Sequence, residues 1–437
     1  MVTISLILKD VLKEIEVPEE NLIKIKKELK DFLKNLEENI KKKNISAEIF
    51  VGGSFAKETL IKKDYYDIDI FLRFDRKYSE KELSNLTKDI LEKVGEFSII
   101  HGSRDYFSFK VGEDVIFEVV PVKKIKTPKE AKNITDLSYL HVKYTKKRIT
   151  NKKILDDIKL AKAFCYANKC YGAESYINGF SGYGLELLVY YYKGFLNFVK
   201  SMSNVNLKEK VVIDIEKQYK NKNQILMDIN SAKLQSPLVL IDPTYPKRNV
   251  LAALSKNTLS KFKEVCKDFL STPKKDFFEL KRINFEKIKK EAKKKNLEVV
   301  LIELKTEKQS GDVAGSKLKK FYTHLCKEIG EMFKVVDCDF EYLGNKEARF
   351  FVVAKRKKEI LIKGPFLNQK EHLKRFRKKY QGKKTFKILV KKNNIFVKYN
   401  PSMSLTNFVK DWEKRNKSKI KEMSIDTLKI VNSSGLK

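Results

Sequence analysis

The amino-acid sequence predicts a multidomain α+β protein, and three patterns carry that prediction. A strictly alternating stretch, YDIDIFLRF at 66–74, precedes a hairpin pattern in FSFKVGEDVIFEVVPV at 107–122. Apolar residues then recur at helical spacing through residues 154–200. Beyond 275, strand and helix patterns alternate again. The 437 residues leave room for about two to four domains.

The start, MVTISLILKDVLKEIE, runs from a short apolar stretch straight into Lys9, Asp10 and Glu14. It has neither a basic leader nor a small-residue cleavage site, so no secretory signal is expected. Residues 20–43 read as one amphipathic helix, with Leu22, Ile25, Leu29, Phe32, Leu33, Leu36 and Ile40 on one stripe. AEIFVGGSF (47–55) reads as a strand ending in a glycine turn. In the strand 66–74, Asp67 and Asp69 share one face and Ile68, Ile70 and Leu72 the other. The hairpin turns at Gly112–Asp114, and Pro121 is expected to close its second strand. Residues 1–148 therefore form an α+β region on a small sheet.

ILDDIKLAKAFCYANKC (154–170) is helical and stops at Tyr171–Gly172. GFSGYGLELLVYYYKGFLNFVK (179–200) reads as a glycine-rich cap running into one strongly apolar helix, whose aromatics Tyr190, Tyr191, Tyr192 and Phe195 are read as core. SPLVLIDPTYPKRNV (236–250) reads as a short strand and a proline-bearing loop, and Thr258–Ser271 as a helix. A boundary falls near 275. Strand 297–304, helix 316–333, strands in DFEYLG and ARFFVVAK, helix 369–380 and strand TFKILVKKNNIFVKYN follow as a second, basic α+β region.

Lys and Arg number 93 against 57 Asp and Glu, a formal charge of +36. Self-repulsion of that size calls for a polyanionic partner, and nucleic acid fits better than a membrane surface, because no basic amphipathic anchor stands apart from the fold. No apolar run nears the roughly 18 residues of a membrane-spanning helix. The five cysteines form no CxxC pair and read as reduced cytoplasmic thiols.

The sharpest chemical signal is VGGSFAKETLIKKDYYDIDIFLRF, residues 51–74. Gly52 and Gly53 let a backbone approach an anion, and Ser54 adds a hydroxyl. Thirteen residues after Ser54 come Asp67 and Asp69, two carboxylates on one side of a strand. Hard oxygen ligands so placed suit Mg²⁺, completed by water and substrate phosphates. Glu118, a lone charge in the apolar strand VIFEVVP, supplies a third carboxylate for a two-metal displacement. Taken singly, each part reads more readily as an ordinary turn or a solvated strand residue. Their combination in one region points to nucleotidyl transfer.

GGS, DID and a later carboxylate-V-V-P strand resemble the DNA polymerase β-type nucleotidyltransferase superfamily. YLHVKY (139–144), CYGAE (170–174), GFSGYGLELLVYYYKGF (179–195), IDPTYPKRNVLAALS (241–255) and GPFL (364–367) resemble, in order and spacing, the archaeal class I CCA-adding enzymes. The resemblance implies a mixed-sheet catalytic head (1–148), a helical neck (149–275) and an α+β body and tail (276–437). It implies addition of C, C and A from CTP and ATP to the acceptor 3′ end of tRNA, with Mg²⁺ at a two-metal site. It also implies a cytoplasmic enzyme, no membrane partner and a homodimer, the last a state that no residue read here requires.

Residue by residue, the resemblance makes Asp67, Asp69 and Glu118 the catalytic and metal-binding carboxylates. Ser54, Lys57 and Lys162 match triphosphate-binding positions, Ser138 and His141 a motif near the nucleotide, Tyr171 and Ala173 the ribose and base lining, and Arg248 a reader of the base edge. Without the family, Lys162 reads as a solvated lysine and His141 equally as a structural histidine. Trp412 and the segment holding Arg375, Phe376, Arg377 and Tyr380 are candidates to meet tRNA. Three departures stand out: Glu118 where Asp is expected, Lys57 where Arg is common, and the loop IKKDYY at 61–66. A poly(A) polymerase-like enzyme with the same triad, or a silent tRNA-binding protein, are the competing readings.

Overall fold

A computed structural model describes residues 4–102, 104–280, 282–380, 386–391 and 393–431, with the side chains of 379, 380 and 386 outside the description. The chain divides into two units, 1–281 and 282–437.

The first unit opens with helices α1 (Ile4–Ile15) and α2 (Glu19–Lys42). Strand β1 (Ala47–Val51), the one-turn helix α3 (Gly53–Ala56), β2 (Tyr66–Phe74), α4 (Glu80–Leu91), β3 (Ser98–Ile100), β4 (Tyr106–Val111) and β5 (Val115–Lys123) follow. The sheet order is β1-β2-β5-β4-β3, antiparallel throughout except that β2 runs parallel to β5. The predicted alternation of β2 puts Ile68, Ile70 and Leu72 into a core with Ile25, Leu29 and Phe32 of α2 and Leu83 and Ile90 of α4. Each such apolar side chain, once buried, contributes about 1.5–3 kcal/mol.

Pro121 does not end its strand. β5 continues to Lys123, with Pro121 opposite Leu72 of β2. Its carbonyl accepts from Arg104 Nη1 at 3.1 Å, on the side where β4 has already ended, so the missing N–H costs no ladder bond. Arg104 is itself held by a buried network. Its Nη1 and Nη2 both meet Asp136, Nη2 also reaches Glu80 at 2.6 Å, and Asp136 accepts from the backbone of Lys123 at 2.7 Å.

The helical part comprises α5 (Ser138–Arg148), α6 (Lys152–Ala167), α7 (Gly182–Tyr191), α8 (Phe195–Ser203), β6 (Val211–Ile213), α9 (Lys222–Asp228), β7 (Leu238–Asp242), β8 (Tyr245–Asn249) and α10 (Lys256–Ser271). The single apolar helix expected over 179–200 is two. Lys193 and Gly194 take positive φ angles of 58° and 127°, and a side chain at Gly194 would meet Asp157 Oδ2 at 2.7 Å. The expected loop after β7 is instead a strand, β8, because Asp242 Oδ1 caps the turn by accepting from Thr244 N at 2.9 Å and Oγ1 at 2.8 Å. Tyr191 is exposed, unlike Phe195, so the aromatic run is only partly core. Helix α1 packs with this part: Leu8 and Val11 join a core with Phe164, Phe195 and Phe262.

The second unit contains α11 (Phe285–Lys294), β9 (Glu298–Lys305), α12 (Asp312–Met332), β10 (Phe333–Gly344), β11 (Glu347–Arg356), β12 (Ile360–Phe366), α13 (Lys370–Tyr380), β13 (Phe386–Lys391), β14 (Asn394–Tyr399), α14 (Leu405–Arg415), α15 (Lys417–Glu422) and β15 (Thr427–Ile430). Two antiparallel sheets result, β10-β11-β9-β15 and β12-β14-β13. Trp412 is not an RNA-facing residue. It is buried against Phe321, with its indole N–H donating to Glu328 Oε2 at 3.2 Å. Arg375 and Arg377 are exposed on α13, Phe376 is half-buried, and the Tyr380 side chain lies outside the described residues.

Removing Arg104 leaves the buried Asp136 without its ion-pair partner, with only backbone N–H donors from Lys123, Lys132 and Asn133. Arg104→Ala is expected to lower unfolding free energy in urea titration by about 3–5 kcal/mol.

Candidate active site

The carboxylate cluster follows from strand register. Parallel pairing sets Asp69 directly opposite Glu118, and Asp67 lies two residues back on the same face. The glycine turn is stitched to this strand, Gly52 N donating to Asp69 O at 2.9 Å. Gly53 has φ +62°, and a Cβ there would fall 1.6 Å from Asp69 Oδ2, so only glycine fits. Burial raises the Glu118 carboxyl to about 7, with Asp69 and then Asp67 adding repulsion. Asp69 is also raised, by burial first, against the pull of Lys57 and, more weakly, Lys162. Loss of hydration raises Asp67 too, against the pull of Lys63. Among the described residues no three His, Cys, Asp or Glu side chains close into a metal cage by themselves. Hard carboxylate oxygens on two neighbouring strands still suit a divalent cation whose remaining positions go to water and phosphate.

Beside the carboxylates, two cationic side chains converge on one buried acid. Glu186 of α7 is fully buried. Its Oε2 accepts from Lys57 Nζ at 2.6 Å, and its Oε1 lies 2.9 Å from Lys162 Nζ. Lys162 Nζ also donates to Thr59 Oγ1 at 2.6 Å and Thr59 O at 3.2 Å. Thr59 Oγ1 in turn donates to Glu186 Oε1 at 3.1 Å. The lysine pair holds the Glu186 carboxyl down at about 2, overcoming burial, which alone would raise it. Lys162 is thus buried, hydrogen-bonded and ion-paired, the opposite of a solvated lysine. Ser54, on α3, lines a small cavity with Thr59, Lys162 and Tyr171.

A second acid organises the other side. Asp242, at the end of β7, is fully buried. Its Oδ2 accepts from Arg248 Nη1 at 2.6 Å and His141 Nε2 at 2.9 Å. The Tyr183 ring stacks on His141, centroids 4.1 Å apart, and its hydroxyl lies 3.4 Å from Asp242 Oδ1. His141 is held below its ordinary pKa by burial, against the raising effect of Asp242. Arg248 Nε is buried with no hydrogen-bond partner. Ser138 stands one turn before His141 on α5, a helix that touches α3. Tyr171 is half-buried at the base of a loop closed by Gly172 N to Phe180 O and Phe180 N to Cys170 O, both 2.8 Å. Ala173 lies exposed on the same loop.

Residues 29–156 match the family model described as nucleotidyltransferase domain, and 156–279 the model described as tRNA nucleotidyltransferase, second domain. The CCA-adding enzyme of Methanocaldococcus jannaschii is 30% identical over 87% of this chain and 85% of its own length. The chain belongs to the CCA-adding enzyme family. The CCA-adding enzyme of Nanoarchaeum equitans is 42% identical over 48% of this chain and 51% of its own length, and that of Archaeoglobus fulgidus 31% identical over 61% and 56%. In those two alignments the matched part spans about half the relative's length. As a member of this nucleotidyltransferase family, the protein is an enzyme that uses nucleotides and a divalent metal. No described helix is long and apolar enough to cross a membrane.

For this CCA-adding family member, the structure gathers Ser54, Lys57, Asp67, Asp69, Glu118 and Lys162 on one side and His141 and Arg248 on the other. Sequence reasoning missed Glu186, Thr59, Asp242 and Tyr183. Glu186 left one signal, a lone carboxylate within the apolar run GLELLVYY, and Asp242 another, an Asp-Pro-Thr turn. Gly53→Ala is expected to displace Asp69 and cut turnover about 10²-fold. Primer-extension kinetics read it, with the thermal transition as a folding control.

Proposed function

We propose that this chain adds C, C and A to tRNA 3′ ends from CTP and ATP, without a nucleic-acid template, using Mg²⁺ at Asp67, Asp69 and Glu118. The observation that carries the reading is the in-register pairing of Asp69 with Glu118 beside the Lys57–Glu186–Lys162 group. In this reading the 3′-hydroxyl oxygen bonds to the α-phosphorus and gives up its proton to water, the α–β phosphoanhydride bond breaks, and pyrophosphate leaves toward Ser54, Lys57 and Lys162. What Mg²⁺ supplies when bound is polarisation of phosphate oxygens and a lower pKa for the attacking hydroxyl. The chain's own part is positioning. Lys57 spends one of three ammonium donors on Glu186, leaving two for phosphate oxygens. Glu118, being longer than Asp, reaches the same cleft from the neighbouring strand.

Arg248 serves base selection. Asp242 fixes its Nη1 and so orients the guanidinium fork toward a ring-nitrogen acceptor, which both C and A present on their pairing edge. Ser138, His141, Tyr171 and Ala173 complete the nucleotide pocket in this reading. The basic second unit, with Arg375 and Arg377 exposed, holds the acceptor stem by shape and backbone charge. We divide the work among a head (1–148), a neck (149–275) and a body and tail (276–437). A cytoplasmic setting, consistent with five free cysteines, and a homodimer belong to the same reading.

The test supplies Mg²⁺, CTP and ATP, singly and together, to tRNA transcripts ending before CCA, after C and after CC. The expected products are two C from CTP alone and a single A only after CC, with Asp67→Ala/Asp69→Ala silent. Long A tails would support the poly(A)-type reading instead, and tRNA binding without any addition a silent protein.

A further inference from the structure

Glu186 has no part in the chemistry assigned so far, yet it is fully buried and touches both phosphate-side lysines at once. It reaches them from α7, while Lys57 caps α3 and Lys162 projects from α6. Lys162 Nζ is already engaged three ways, donating to Thr59 Oγ1 and Thr59 O and ion-paired with Glu186 Oε1 at 2.9 Å. A phosphate oxygen therefore meets Lys162 only if one of these bonds yields, whereas Lys57 keeps donors in hand. The cluster of two lysines and one glutamate carries a net +1. Without the acid between them, Lys162 would still be held by Thr59, but Lys57 would be driven away by repulsion and regain rotamer freedom.

We propose that Glu186 is a positioning residue that holds Lys57 and Lys162 side by side and thereby sets the grip on the β- and γ-phosphates and on departing pyrophosphate. This rests on the reading of Lys57 and Lys162 as triphosphate contacts. Simple charge counting makes the opposite forecast. Neutralising Glu186 raises the net charge of the cluster from +1 to +2, and inorganic pyrophosphate would bind more tightly if attraction alone mattered. If position matters, it binds more weakly.

The experiment uses the full chain, a tRNA transcript ending in CC, ATP, and inorganic pyrophosphate as inhibitor. In Glu186→Gln, KM for ATP and the inhibition constant of pyrophosphate are expected to rise together by about tenfold, the loss of a well-placed charged contact, with kcat within about threefold. Lys57→Ala/Glu186→Gln is expected to be no worse than Lys57→Ala by more than about twofold, since residues acting as one unit are not additive. Tm and tRNA affinity serve as folding controls. Should Glu186→Gln fail to fold, Glu186→Asp keeps the charge but reaches one lysine only, and the same two constants are expected to rise to an intermediate degree. Unchanged or tighter pyrophosphate binding in a folded variant, or losses that multiply in the double variant, overturn the proposal. If Lys57→Ala and Lys162→Ala themselves leave KM for ATP unchanged, it is the triphosphate reading that fails.

Discussion

Asp69 and Glu118 face each other across parallel strands β2 and β5, with Asp67 two residues away on the same side. Burial there, with the repulsion of three like charges at that spacing added to it, pushes the Glu118 carboxyl up to about 7. The geometry persists because the opposite face of β2 is locked into the core through Ile68, Ile70 and Leu72. The sheet cannot slip by one residue to relieve the repulsion without turning those side chains to water. Core packing thus holds in place an arrangement that electrostatics alone would disperse, and the stored repulsion is what makes the place attractive to a divalent cation and its triphosphate.

The positive side is organised by the converse principle. Lys57 and Lys162 are gathered by Glu186, and Arg248 and His141 by Asp242. Both acids are fully buried, and both sit below the ordinary carboxylate range because their basic partners outweigh burial. Helix α7 links the two groups, because Tyr183 on one turn packs on His141 and Glu186 on the next holds the lysines. The Lys193–Gly194 break that follows this helix lets α8 pack Phe195 and Phe198 into the helical core, while α7 carries Tyr183 and Glu186 in its first turns.

Much of the frame was legible in the chain. The alternation over 66–74 located β2 to the residue, the glycine pair before it marked the turn, and the amphipathic stripe over 20–43 became α2. Reading failed where tertiary context overrides local signals. Pro121 lies inside a strand because its neighbour ends there. Residues 245–249 pair as a strand because Asp242 caps the turn before them. Trp412, which composition would send to an RNA surface, fills the core of the second unit against Phe321.

The sequence by itself determined the chemical inventory: the carboxylates at fixed strand spacing, the glycine turn, and a charge of +36 that calls for a polyanion. These are local or summed properties, carried by neighbouring residues or by composition. Only the tertiary structure decided the pairings that give those residues their character, Asp69 with Glu118, Lys57 and Lys162 with Glu186, and His141 and Arg248 with Asp242. Hydrogen bonds and ion pairs act over a few ångströms in space, and these partners stand between 6 and 129 positions apart along the chain. No periodicity in a single sequence encodes which distant segment will arrive to complete them.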